Sequence, residues 1–302
     1  MGAMSALAPA DATFEEQRSL LFGVAYRMLG TVAEAEDAVQ ETYLRFRAAE
    51  GVTSPRAFLV TVVTRICLDV LKSARMQREQ YIGPWLPEPL VHRAGAEPSP
   101  EDVVEHEDSV SLAFLVMLEE LGPVERAVFL LREVFDYDYG DIAQIVGRNE
   151  AACRQVFRRA REHLAERHHR FSASYDQRRD LTARFLVAAN EGDMAGLMEL
   201  LAADVVAYSD GGGKRAAALN PVVGADHVAR FILGVRKKEP HLRSEFADVN
   251  GWPGVMLWSR SGRLDSVMAV DLDDDGRVRS VYIVRNPDKL ERIAEPRRDD
   301  RR

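Results

Sequence analysis

Five prolines, Pro84, Pro87, Pro89, Pro98 and Pro100, punctuate residues 81–108. Proline fixes φ and removes a backbone donor, which excludes a continuous helix through this stretch. Long runs of helical periodicity flank it on both sides. The chain must therefore fold as separate parts joined by an extended linker. Its 302 residues allow two domains or more. The linker is acidic: residues 81–109 hold seven acidic side chains against one basic one, Arg93.

Residues 13–80 read as helical. Gly30 ends a first helix, and Thr31 with Glu34 forms a capping box that starts the next. Ala35, Ala38, Val39, Thr42 and Phe46 recur at helical spacing as a buried stripe, while Glu34, Asp37 and Glu41 line another face. Ser54-Pro55 supplies an N-cap and a proline at the first helical position. Phe58, Leu59, Val62, Val63, Ile66 and Val70 are the expected buried face there. Arg65, Lys72, Arg75 and Arg78 fall on the exposed side and toward the end.

Helical pattern resumes near Ser109 and runs to about Arg170, broken at Gly122-Pro123, around Gly140 and at Gly147. Ala143, followed four residues later by Gly147 with apolar flanks, has the spacing of a helix-turn-helix. The small residue lets the second helix pack close, the glycine makes the tight turn, and Ile142, Val146, Cys153, Val156 and Phe157 hold the pair together. The second helix starts near Asn149. Its early residues Asn149, Glu150, Arg154, Gln155 and Arg158 are placed to reach base edges in a major groove. The later arginines, Arg161 among them, would meet phosphates.

Net charge is −8, which taken alone argues against a nucleic-acid binder. The distribution says more: residues 147–170 carry seven arginines against three acids. A local basic helix inside an acidic chain suits focused DNA contact. Two distant cysteines, Cys67 and Cys153, exclude a disulfide scaffold and a multi-cysteine zinc site, and they suit a cytoplasmic protein. No apolar run approaches the roughly 20 residues of a membrane span, and the start lacks a signal-peptide pattern. We expect no membrane partner, no metal site and no cofactor.

From Asp176 the pattern changes. Two amphipathic helices, about 176–190 and 194–202, precede strand-like runs at Val205–Ser209, Leu242–Val249, Val255–Ser259, Leu264–Asp271 and Arg277–Val284. Asn250-Gly251, Ser261-Gly262 and Asp275-Gly276 are turn signals between them. Helices followed by an antiparallel meander predict an α+β domain.

Residues 13–80 resemble the first conserved region of extracytoplasmic-function sigma factors, the small bacterial transcription initiation factors. The run Ala35-Glu36-Asp37-Ala38-Val39-Gln40-Glu41-Thr42-Tyr43-Leu44-Arg45 is close to that family's hallmark, and residues 112–166 resemble its second DNA-binding region. The family pattern is departed from at Arg148, where an apolar residue is common, and at Val156, where arginine is frequent. The resemblance implies two all-α domains, region 2 over 13–80 and region 4 over 109–170, with the linker over 81–108 between them. It implies core RNA polymerase and promoter DNA as partners. Asp37, Gln40 and Glu41 would dock a coiled coil of the polymerase. Arg65, Lys72 and Arg75, with the loop 47–55, would engage the promoter element near the melting point, and the helix from Asn149 would read the more distant one. The linker would thread a polymerase channel that otherwise holds nucleic acid.

Residues 176–295 resemble SnoaL-like domains, α+β cones whose curved antiparallel sheet encloses a pocket. Sigma factors with such an extension form a known branch, and three of its sequence marks are present: Trp85-Leu86-Pro87-Glu88-Pro89, Asp210-Gly211-Gly212-Gly213-Lys214 and Asn286-Pro287-Asp288-Lys289-Leu290. The glycine loop permits close backbone approach to the linker, with Lys214 available to pair Glu88. The expected role of Trp85, Pro87, Glu88, Asp210 to Lys214, and Asn286 to Asp288 is regulation in cis.

Relatives of that fold include cyclases and isomerases that use an acid–base pair. His227, His241, Asp265 and Tyr282 are the candidates here, and none forms a convincing pair in the sequence. The chain therefore reads as no enzyme, with room for a small-molecule ligand in the pocket. Two other readings stay open: a stand-alone helix-turn-helix regulator sensing a ligand, and a SnoaL-like enzyme. The first leaves Asp37, Gln40 and Glu41 without a task. The second leaves the first 170 residues unexplained.

Overall fold

Gly30, with φ of 78°, turns the chain out of the first helix. That helix, α1, spans Pro9–Leu29, and α2 follows over Val32–Ala48. The Thr31 hydroxyl donates to the Glu34 carboxylate at 2.7 Å instead of accepting from the backbone, so the expected capping box closes side chain to side chain. In α2 the predicted stripe is buried, joined by Val32. Helix α3 spans Pro55–Arg78. Its deepest face is Leu59, Val60, Val63, Thr64, Cys67, Leu68 and Leu71. Val62, Ile66 and Val70, expected in the core, are only half-buried, because the i, i+4 ladder through 59, 63, 67 and 71 sets the stripe one position round.

The computed structural model describes residues 9–78, 80–92, 111–165 and 173–294. These fall into two compact units. The first holds α1 to α3 together with α5 (Pro123–Glu133), α6 (Tyr139–Val146) and α7 (Glu150–Ala165). Arg126 of α5 is buried in it, donating to the Met28 carbonyl at 2.7 Å and to Glu119 at 2.6 Å. This guanidinium caps α1 and ties both predicted helical regions into one unit. The break expected around Gly140 falls earlier. Asp136 has φ of 52°, Asp138 caps α6 by accepting from the Asp141 amide at 2.8 Å, and Gly140 sits inside the helix.

The second unit takes residues 80–92, the first part of α4 (Leu112–Leu118) and everything from 173 onward. After α8 (Tyr175–Glu191) and α9 (Met194–Leu200) come β2 (Leu201–Asp210), β3 (Val222–Val223), α10 (Ala225–Lys238), β4 (Arg243–Val249), β5 (Trp252–Trp258), β6 (Leu264–Leu272), β7 (Val278–Val284) and α11 (Pro287–Ala294). With β1 (Val91–His92) they form a seven-stranded sheet ordered β1-β4-β5-β6-β7-β2-β3. Strands β4 to β7 make the expected meander, but β2 lies parallel to β7.

Both faces of this sheet are covered. Helices α8 to α10 pack on one face against Val255, Met268, Val281 and Ile283. On the other face Met256, Val267, Ala269 and Val284 meet Leu86 of the linker, Leu112 of α4 and Leu290 of α11. Residues 86–90 are all buried. Burying a leucine contributes roughly 1.5–3 kcal/mol. This part of the linker is thus a piece of the second core, while residues 93–108 lie outside the described part.

Candidate functional site

The helix-turn-helix forms as its spacing predicts. Gly147 ends α6 with φ of 69°, a left-handed conformation that a β-carbon would strain, and its amide caps the Ala143 carbonyl. Ile142, Ala143 and Cys153 are buried between α6 and α7. Glu150, Arg154, Gln155, Arg158, Arg159 and Arg161 all project into solvent. Asn149 is exposed too, but its Oδ1 already accepts from the Ala152 amide at 2.8 Å and caps α7. Arg154 is held on three sides: it pairs with Glu150, and its guanidinium lies 4.8 Å from the Tyr139 ring centre, with Arg132 on the same ring at 5.5 Å. Tyr139 in turn meets Phe157 edge-on at 6.2 Å. The sequence reading did not single out Tyr139.

On α2, Asp37 and Gln40 are exposed and Glu41 half-exposed, its carboxylate paired with Arg45 at 2.8 Å. Leu44, one turn further along this face, is 54% exposed. On α3, Lys72 pairs with Asp69 at 2.9 Å. Arg65 donates to the carbonyls of Gln144 at 2.9 Å and Ile145 at 3.0 Å, at the C-terminal end of α6. The side chain of Arg75 lies outside the described residues.

The second unit brings the three marked segments together. Asp210, fully buried at the end of β2, accepts four hydrogen bonds: from the Tyr81 hydroxyl at 2.6 Å, the Leu86 amide at 2.9 Å, the Gly212 amide at 3.0 Å and Lys289 Nζ at 2.7 Å. Lys289 also donates to the Leu86 carbonyl and sits 4.1 Å from the Trp85 ring centre. Asn286 Nδ2 donates to the Tyr81 hydroxyl at 2.9 Å. Burial and Asp210 push the Tyr81 phenol up, so it stays a proton donor. Further along, the Leu90 amide donates to Asn250 Oδ1 at 3.1 Å, and the Asn250 amide returns to the Leu90 carbonyl at 2.8 Å.

Gly212, at φ of 58°, leaves no room for a β-carbon against the Asn286 amide, and Gly213 packs on Ile82 of the linker. The close approach expected of this loop is there. The expected Lys214–Glu88 pair is not. Lys214 instead meets Asp288 at 2.7 Å on the surface, and the cation facing the linker is Lys289. Pro87 and Glu88 are buried within the docked linker.

A cavity of about 50 Å³ lies between α8, α10 and the sheet, walled mainly by Phe185, Leu186, Ile232, Leu257, Met268 and Ile283. Asp265 and Arg285 also line it, and Arg285 Nε has no partner among the described residues. Asp265 is bound by Arg285 at 3.0 Å and by Arg215. Tyr282 stacks on Tyr208 at 5.6 Å, while His227 and His241 are exposed. The four acid–base candidates are thus committed or scattered. No three metal-ligating side chains converge among the described residues, and none of their helices is long and apolar enough to cross a membrane.

Comparison with known proteins covers nearly the whole chain. The model of the family Sigma-70 region 2 matches residues 13–76, and that of Sigma-70, region 4 matches residues 111–164. The ECF RNA polymerase sigma factor SigJ of Mycobacterium tuberculosis is 38% identical over 300 residues, spanning 94% of this chain and 96% of that protein. A probable ECF RNA polymerase sigma factor, SigI, of the same species is 35% identical over 95% of this chain and 97% of its own length. The crystal structure of the SigJ protein superposes with a TM-score of 0.78 at 33% identity, covering 94% of this chain and 99% of that one.

Proposed function

The chain belongs to the extracytoplasmic-function sigma factors, which direct promoter recognition and transcription initiation by RNA polymerase, and on that premise we propose how its parts divide the task. Residues 13–80 and 109–170 act as the two promoter-binding regions, and 176–295 regulates them in cis through the linker 81–108. The α2 face of Asp37, Gln40 and Glu41 docks the core polymerase. Arg65, Lys72 and Arg75 engage the promoter near the melting point, where a base must leave the stack at a cost of a few kcal/mol. The supporting observation for the DNA role is α7, whose arginines project into solvent from a helix opened by Asn149.

Arg65 is engaged by the carbonyls that end α6, so promoter binding through Arg65 requires it to leave them. Regulation in cis rests on a different observation: residues 86–90 are core to the second unit. Anything that loosens the Asp210–Lys289 pair frees the linker. The polymerase supplies the chemistry and this chain is non-catalytic, a reading supported by the double guanidinium grip on Asp265. The apolar wall of the cavity suits a small apolar ligand.

Replacing Tyr139 with leucine removes the ring on which Arg154 lies. Discrimination at the base pair Arg154 reads should fall about tenfold, within the 1–3 kcal/mol of one good side-chain contact to a base. Tyr139→Phe keeps the ring face and should retain discrimination. Anisotropy titrations against single-base promoter variants read both. Equal loss in the two variants, or loss at every position alike, would contradict this positioning role.

A further inference from the structure

One end of the second unit's sheet gathers exposed cations from three segments of chain. Helix α10 ends in Arg236, Lys237 and Lys238, and Arg236 Nη1 donates to the Leu242 carbonyl at 3.3 Å, which sets the start of β4 beside the helix end. Arg243 then pairs in register with Trp258, so the turn after β5 lies next to it. That turn is tight, with the Gly262 amide on the Ser259 carbonyl at 3.0 Å, and it displays Arg260 and Arg263. Lys237, Lys238, His241, Arg243, Arg260 and Arg263 are all exposed.

The acids in these segments are already engaged. Glu239 takes Arg285 at 2.9 Å, and Glu245 takes Arg243 at 3.3 Å. The nearby Asp265 is buried under Arg215 and Arg285. Among the described residues, Lys237, Lys238, Arg260 and Arg263 make no ion pair. Cations at a helix C-terminus complement the helix dipole, which accounts for Lys237 and Lys238. It does not account for Arg260 and Arg263 on a strand turn. An ordinary surface intersperses both signs, and this chain is acidic overall.

We propose that this end of the sheet is a second DNA-contact surface, binding the phosphate backbone of duplex DNA without regard to sequence. The chemistry is that of several mobile cations on a convex rim: it neutralises phosphates and offers no buried donor set to read a base edge. Joined to α7 in one chain, even a weak backbone contact raises overall affinity by its effective concentration.

The test uses the full chain and a fluorescent duplex of unrelated sequence, about 40 base pairs long, titrated from roughly 50 to 300 mM KCl. The fourfold variant Lys237→Gln, Lys238→Gln, Arg260→Gln, Arg263→Gln is compared with the parent. Each lost phosphate contact lowers the slope of log K against log salt by about 0.9. The variant should show a slope shallower by about 3 and at least tenfold weaker binding at the lowest salt, alike on promoter and non-promoter duplexes. Lys237→Arg with Lys238→Arg should match the parent. All the altered side chains are exposed, and an unchanged melting temperature verifies the fold. An unchanged slope would overturn the proposal. So would unchanged DNA binding with weakened core-polymerase binding, which would assign the rim to an acidic protein surface.

Discussion

Lys289→Met should lower the stability of the second unit by about 3–5 kcal/mol, the usual cost of removing one partner of a buried ion pair. For a unit of this size that corresponds to a fall of roughly 10 °C in melting temperature. The reason is Asp210. With Lys289 gone, a carboxylate with no solvent exposure keeps three neutral donors but loses its only listed counter-charge within the clasp. The Leu86 carbonyl loses a donor as well, so the linker is released along with the domain's own strand end. The double variant Asp210→Asn, Lys289→Met removes both charges and should recover a large part of the loss. Lys214→Glu is the instructive contrast. Lys214 and Asp288 are 57% and 59% exposed, and such pairs contribute about 0–1 kcal/mol. Thermal unfolding of the three variants checks the ranking. Equal effects of Lys289→Met and Lys214→Glu would contradict it.

Asp37→Lys combined with Glu41→Lys should weaken core-polymerase binding by about 100-fold, close to 2.7 kcal/mol, if the acidic face of α2 docks on a basic coiled coil. Both residues lie on the solvent side of a helix whose buried stripe is untouched. The folded chain should therefore survive, and its binding to isolated duplex DNA should not change. A pull-down or surface titration with purified core enzyme measures the first effect, and anisotropy measures the second. Core binding that survives the double reversal would move the docking face elsewhere.

The helices were legible in the sequence because their signals are local. Capping residues, prolines at first turns and the i, i+4 stripe of α2 are all read within a few residues of where they act. The helix-turn-helix belongs to the same class, since Ala143 and Gly147 fix their turn through nearest neighbours. The misses are long-range. The parallel pairing of β2 with β7 is made across some seventy residues, and turn signals between successive strands say nothing of it. Helix α10 has an apolar i, i+4 pattern in Val228 and Ile232, but Gly224 and Gly234 break it up. The clasp shows the limit most clearly. The sequence offered Lys214 and Lys289 as cations, and Glu88, Asp210 and Asp288 as acids. Which of them pair depends on the loop closing on Asn286 and on the linker filling the second sheet face through Leu86. The docked linker was read as an extended tether because its prolines exclude helix. They do not exclude burial, and an extended strand end can satisfy its backbone on a neighbouring asparagine, as Leu90 does on Asn250.

The most direct test of the account is transcription in vitro with purified core polymerase, the full chain and a promoter library, run beside the Asp37→Lys, Glu41→Lys variant and the Lys289→Met variant. The account predicts promoter-specific transcripts from the full chain, their loss with the α2 variant, and an altered output when the linker clasp is broken. Absence of both core binding and transcripts with the intact chain would contradict it.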